Sequence, residues 1–257
     1  MSLLLTIVLF AAFGGIASAA VAIVFLWVRE ERSALLLPHF ISFATGALLG
    51  AALLALLPEA IEKAGPGRAR AIGASLIAGL AVFFVIEKLV LWWHAHGSHD
   101  HAHAHARDHA SGILVLVGDS LHNALDGVLI AAAFLTSGPL GLVTTFAVAA
   151  HEIPHRVGDF AILVQAGLSR PRALLLNLAT GIASIVGAIA AYYGLRQAMG
   201  ALPYALALAA AGFLYIAVAG LIPGLHRRAD PRTSAIQVLL IGAGIAVIAW
   251  AERLTGQ

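Results

Sequence analysis

Apolar runs about as long as a bilayer is thick recur along this chain, separated by short clusters of charge, proline and glycine. The pattern predicts helices at 3–28, 37–58, 72–93, 111–135, 140–167, 172–196, 202–223 and 234–251. The joints are Arg29 to Arg32, Pro66-Gly67, a histidine tract, Ser137-Gly138-Pro139, Ser169-Arg170-Pro171, Gly200 to Pro203 and His226 to Pro231. The expected fold is all-α: a polytopic membrane protein of eight transmembrane helices forming one domain over 1–257. The first apolar stretch lacks a basic n-region and a small-residue cleavage site, so it reads as a retained span. Gly46 and Gly50 form a small-xxx-small pair that lets helices approach closely.

Composition supports this reading. Hydrophobic residues make up 61% of the chain and charged residues 11%, where a soluble domain carries about 25% charged. The net charge of +2 comes from scattered basic residues, with no run long enough to serve as a nucleic-acid patch. The basic residues orient the spans. With the N-terminus outside, the inner loops collect Arg29, Arg32, Lys88, Arg107, Arg170, Arg172, Arg227, Arg228 and Arg232. The outer side then holds Lys63, Arg68, Arg70, Arg196 and Arg253, so both termini are expected to be extracytoplasmic. Abundant Ala, and Arg in excess of Lys, point to a multi-pass protein of a bacterial inner membrane. Partners follow from this placement: the lipid bilayer, with a homodimer as one assembly open to such a chain.

Polar residues inside the apolar helices carry the chemistry. Asp119, His122, Asn123 and Asp126 share one stripe of the predicted fourth helix, and His151, Glu152, His155 and Asp159 share one of the fifth. One Asp at bilayer depth costs about 2.5–3.5 kcal/mol on insertion scales. A bound divalent cation is the simplest partner for such groups. Facing each other, the stripes could supply three imidazoles, an amide and several carboxylates. That is enough for one metal, or for two sharing Asp126 and Glu152. Cysteine is absent, so thiolates take no part, and zinc, iron, manganese, cobalt or nickel suit the donors better than copper(I). Pro154 cannot donate to the Ala150 carbonyl and is expected to kink the fifth helix there. Arg156 lies four residues after Glu152 and three before Asp159, and is expected to pair with one of them.

A second cluster has no apolar period. Between His94 and His109 the chain carries seven histidines, at 94, 96, 99, 101, 103, 105 and 109. It reads as a disordered cytoplasmic loop over 94–109 that binds zinc-like ions without fixed geometry.

The stretches HNALDG (122–127), HEIPHRVGDF (151–160) and FVIEKLVLWWHAH (84–96) resemble the ZIP family of divalent-metal transporters. The match is closest to the branch with HNF-x-DG and HEIPHE-x-GDF motifs. The resemblance implies eight helices, outside termini, a His-rich third-to-fourth loop and metal entry into the cytoplasm between helices four and five. It implies a primary site of His122, Asp126, His151, Glu152 and His155, and a neighbouring site of Asn123 with Asp126, Glu152 and His155 shared. Zn2+ is then the transported substrate. The chain departs from the family pattern at Ala55, where relatives carry His, and at Arg156, where the branch has Glu. It also has Gly220 and Gly224 where relatives carry Asp and Glu.

Two other functions compete with transport. HEIPH fits the His-Glu-x-x-His zinc protease motif, and Leu125-Asp126-Gly127 could supply the third ligand of an intramembrane metalloprotease. In those enzymes, however, the Leu-Asp-Gly follows the motif, and here it precedes it. A metal-binding membrane sensor is the other. No nucleotide-binding loop is present to drive a pump. The expectation is a transporter and not an enzyme.

Overall fold

The computed structural model describes residues 2–27, 30–96, 104–226 and 230–255, and every regular element among them is helical. Helix α1 (Leu3–Trp27) is followed by α2 (Glu30–Gly50), which passes through a π-helical stretch (Ala51–Leu56) into α3 (Leu57–Ala64). Gly65 and Gly67, both at φ 81°, turn the chain into α4 (Ala69–His96). Helices α5 (Ala104–Thr136) and α6 (Gly138–Gln165) form an antiparallel hairpin. Its tight corner is Ser137, whose Oγ accepts from the Leu140 N–H at 3.2 Å, with Pro139 in the first turn of α6.

After α6 come α7 (Arg170–Thr180) and α8 (Ile182–Gln197), which meet at Gly181. A short 3-10 turn leads to α9 (Leu202–Tyr215), a second π-helical stretch (Ile216–Leu221) and α10 (Ile222–Leu225). The last helix is α11 (Pro231–Thr255). Asp230 precedes it and accepts from the Thr233 N–H at 2.9 Å, and hydrogen bonds from the Thr233 side chain and then its backbone hold the carboxyl below the ordinary range.

Several helices differ from the predicted ones. Helix α2 starts at Glu30 and runs through Pro38, because the charged residues read as a joint are themselves good helix formers. The span predicted over 172–196 is present as one stretch, Arg170–Gln197, with a one-residue interruption at Gly181, whose backbone is itself near-helical at φ −61°, ψ −20°. The histidine tract was expected to be loop over 94–109, yet α4 extends through His96 and α5 begins at Ala104. Alanines between the histidines make both ends compatible with helix. The centre of the tract, 97–103, and its disorder lie outside the described residues. Helix α6 runs unbroken through Pro154.

Among the described residues, five helical stretches are long and apolar enough to cross a membrane: Leu36–Ala64, Ala69–Leu89, Arg170–Gln197, Met199–Leu225 and Pro231–Leu254. Helices α5 and α6 fall outside this set because their polar stripes interrupt the apolar run. The surface is inverted relative to a soluble protein: Ile77, Leu175 and Leu239 point outward, while the interior is rich in alanine. This is the arrangement of a polytopic membrane protein, in which small residues let helices pack closely.

Two crossings are especially tight. A Cβ at Gly46 would collide with the Ile241 carbonyl, and one at Gly244 with the Phe43 carbonyl, which brings α2 against α11. At the other crossing, a Cβ at Gly127 would strike the Ser184 carbonyl and one at Gly187 the Ala124 carbonyl. That reciprocal contact holds α5 on α8 one residue from Asp126.

Candidate metal centre

Helices α5 and α6 present their polar stripes to each other, and α7 closes the site from the side. Four of the six predicted ligands converge. His122 Nε2 lies 3.2 Å from His151 Nε2, 3.8 Å from Asp126 Oδ2 and 3.6 Å from Glu152 Oε1. His151 Nε2 lies 3.4 Å from Asp126 Oδ2. Donors about 2.0–2.2 Å from a zinc ion at tetrahedral angles stand about 3.3–3.6 Å apart. These four separations lie close to that spacing, and all four donor atoms lie within 4.8 Å of one another, a cluster that could hold a zinc-sized ion.

The donors are also prepared for a cation. His151 Nδ1 lies 3.0 Å from the Ala147 carbonyl, so Nδ1–H donates there and the Nε2 lone pair faces the site. Asp126 Oδ2 and both carboxylate oxygens of Glu152 are buried without a hydrogen-bond partner. Buried polar atoms in that condition are costly, and Asp126 Oδ2 and Glu152 Oε1, beside the two imidazole nitrogens, form a site for a positive ion. His122 is partly exposed, so the site is reachable from one side.

The other two predicted ligands are placed differently. Asn123 Nδ2 donates to the Asp119 carbonyl (2.9 Å) and to Asp119 Oδ1 (2.8 Å), while its own Oδ1 accepts from Arg156 Nη2 at 2.9 Å. All of its strong bonds go to the protein. His155, one helical turn past His151, stacks on His122 with ring centroids 5.0 Å apart and planes 13° apart. Its Nδ1 lies 3.0 Å from Asp159 Oδ2 and 3.8 Å from Asp119 Oδ1. The structure thus divides the polar stripes into two groups: His122, Asp126, His151 and Glu152 in one, Asp119, His155 and Asp159 in the other.

Arg156 is wholly buried. Its Nε lies 2.9 Å from Glu152 Oε2, an ion pair that falls outside hydrogen-bond alignment. Of the two carboxylates within sequence reach, it is Glu152 that pairs. Nη1 donates to the Asn177 carbonyl, to Asn177 Oδ1 (3.1 Å) and to Thr180 Oγ1 (3.0 Å). Asn177 returns a bond from Nδ2 to the Arg156 carbonyl at 3.1 Å.

The α7 residues Asn177 and Thr180 were not anticipated as parts of the site. The signal was available: an Asn and a Thr three residues apart inside the apolar run Leu174 to Ile182. That is the same anomaly that marked α5 and α6.

A family model described as ZIP Zinc transporter matches residues 97–252. The chain is 37% identical over 236 residues to zinc transporter ZIP13 of Pongo abelii, an alignment covering 86% of this chain and 68% of the relative. It is 34% identical over 267 residues to zinc transporter ZIP13 of Homo sapiens, covering 86% and 72%. To zinc transporter SLC39A7 of Rattus norvegicus it is 31% identical over 309 residues, covering 86% and 66%.

Proposed function

The chain belongs to the ZIP zinc transporter family, and from that premise we propose that it carries a divalent metal ion, zinc foremost, into the cytoplasm through the α5–α6 site. The observation that carries this reading is the set of four donor atoms clustered within 4.8 Å of one another inside an apolar bundle. His122, Asp126, His151 and Glu152 hold the ion as substrate. Two neutral imidazoles and two carboxylates replace its water shell, which hydrocarbon cannot do.

Arg156 sets the strength of the hold. Its fixed charge against Glu152 leaves Asp126 as the one carboxylate free to offset the ion. Binding is therefore weaker than with two unpaired carboxylates, and weaker binding suits a site that must also release. The guanidinium stands where the family's neighbouring second ion is expected, between Glu152 and Asn123, so this centre takes one ion. Asn123 acts through Arg156 and Asp119 and not on that ion.

In this proposal residues 1–257 form a single transport domain of eight spans with both termini extracytoplasmic. The histidine tract lies at the cytoplasmic end and buffers arriving ions. The bacterial inner-membrane placement is supported by composition alone, while the relatives described above are mammalian. A homodimer rests on no contact seen in this chain.

The protease alternative fits the geometry poorly. His-Glu-x-x-His hydrolysis needs both imidazoles on one zinc and a free glutamate base. Here His151 and His155 belong to different groups, and Glu152 is paired with Arg156. The test is zinc uptake by proteoliposomes holding the purified protein. Asp126→Ala should lose most of the flux while inserting normally, and near-parental uptake by that variant overturns the site.

A further inference from the structure

The second group, Asp119, His155 and Asp159, is built as a cation site in its own right. Its donor atoms come from both helices and lie within 4.8 Å of one another. The His155 Nδ1 distances to Asp159 and Asp119, 3.0 and 3.8 Å, bracket the spacing of about 3.3–3.6 Å expected around a tetrahedral zinc. Its acids are buried, Asp119 at 3% and Asp159 at 8% exposure, while His155 is exposed.

A second observation points to a ligand. Asp119 Oδ2 is buried with no hydrogen-bond partner. The Arg156 guanidinium comes only to 3.9 Å of it, at Nη1, beyond hydrogen-bonding range. Thr180 lies nearby, but its single O–H is donated to the Asn177 carbonyl at 2.6 Å. Asp119 Oδ1 accepts one bond from Asn123 and keeps room for another ligand. Two carboxylates and one imidazole also supply the charge that a divalent ion needs.

The group's position gives it a role. Asp119 precedes the first group's residues on α5, and His155 and Asp159 follow theirs on antiparallel α6. At 1.5 Å per residue the centre of the second group lies about 7–8 Å from that of the first along the helix axes. The displacement is toward the end where α5 begins and α6 ends, which is the end that adjoins the histidine tract. The stacked rings of His122 and His155 join the two groups.

We propose that Asp119, His155 and Asp159 form a second divalent-cation station, which receives the ion from the buried centre and passes it toward the histidine-tract end. The proposal rests on the transport reading above, but the station's existence can be tested apart from it. The full-length protein in detergent is stripped of metal and titrated with zinc at equilibrium dialysis. Any zinc on the histidine tract then contributes equally to every variant.

Asp159→Asn and Asp119→Asn should each lose one zinc equivalent against the parent. Asp126→Asn should lose a different one, and Asp126→Asn/Asp159→Asn should lose two. Where Asp159→Asn or Asp119→Asn does not fold, by circular dichroism, the other of the two carries the test. Parental zinc content in Asp159→Asn and Asp119→Asn overturns the station. So does a single-variant loss equal to that of the double variant, since it would mean one shared site. If Asp126→Asn alone leaves the zinc count unchanged while Asp159→Asn lowers it, the buried centre fails and the station stands.

Discussion

Replacing Arg156 with Met should destabilise the protein by at least about 4 kcal/mol. The guanidinium is the cation that pairs with wholly buried Glu152, with Nε and Oε2 2.9 Å apart. Removing one partner of a buried pair costs about 3–5 kcal/mol because the other charge is left uncompensated. The acceptors on Asn177, Thr180 and Asn123 lose their donor as well, and each buried acceptor left unmet adds about 1–3 kcal/mol.

Denaturant unfolding of parent and variant in the same detergent, with metal removed, measures the difference. A variant within about 1 kcal/mol of the parent would refute the reasoning.

Three further outcomes are expected. Arg156→Glu should raise the zinc count per chain by one, since it replaces the buried cation with a ligand; an unchanged count by metal analysis refutes the idea that the guanidinium fills a cation's place. Gly127→Ala forces a methyl group onto the Ser184 carbonyl and should cost about 1–3 kcal/mol in unfolding free energy, with weaker zinc binding as α5 is pushed away. Stability within 0.5 kcal/mol of the parent, on the order of an ordinary surface substitution, would show that the crossing yields easily. Deleting 97–103 should leave zinc uptake working but change its apparent affinity, and complete loss of flux in a correctly inserted protein would place the tract in the path.

Much of the site was legible because its signal is local. A helix of 3.6 residues per turn puts Asp119, His122 and Asp126 on one stripe, and His151, His155 and Asp159 on another, whatever surrounds them. The cost of ionisable groups in hydrocarbon then marks both stripes as functional. The pairing of Arg156 with an acid one turn away was legible for the same reason. Its reach to Asn177 and Thr180 was not, since that contact spans 21 to 24 residues and depends on where α7 lies. The interruption at Gly181 and the two π-helical stretches likewise left no clear mark in the hydropathy pattern.

The sequence alone determined that this chain is helical and built for a membrane, because a backbone in hydrocarbon must satisfy its hydrogen bonds within each segment. It also determined which side chains could bind a metal. Only the tertiary structure decided how they divide. His155 was expected beside His151 on one ion, yet it stands with Asp119 and Asp159, and Asn123 is bound to Asp119 and Arg156. Those choices depend on how far one helix is displaced along its neighbour and on how closely the two approach. The approach is set by contacts such as Gly127 against Ser184 and Gly187 against Ala124, between residues more than fifty positions apart, which no local periodicity records.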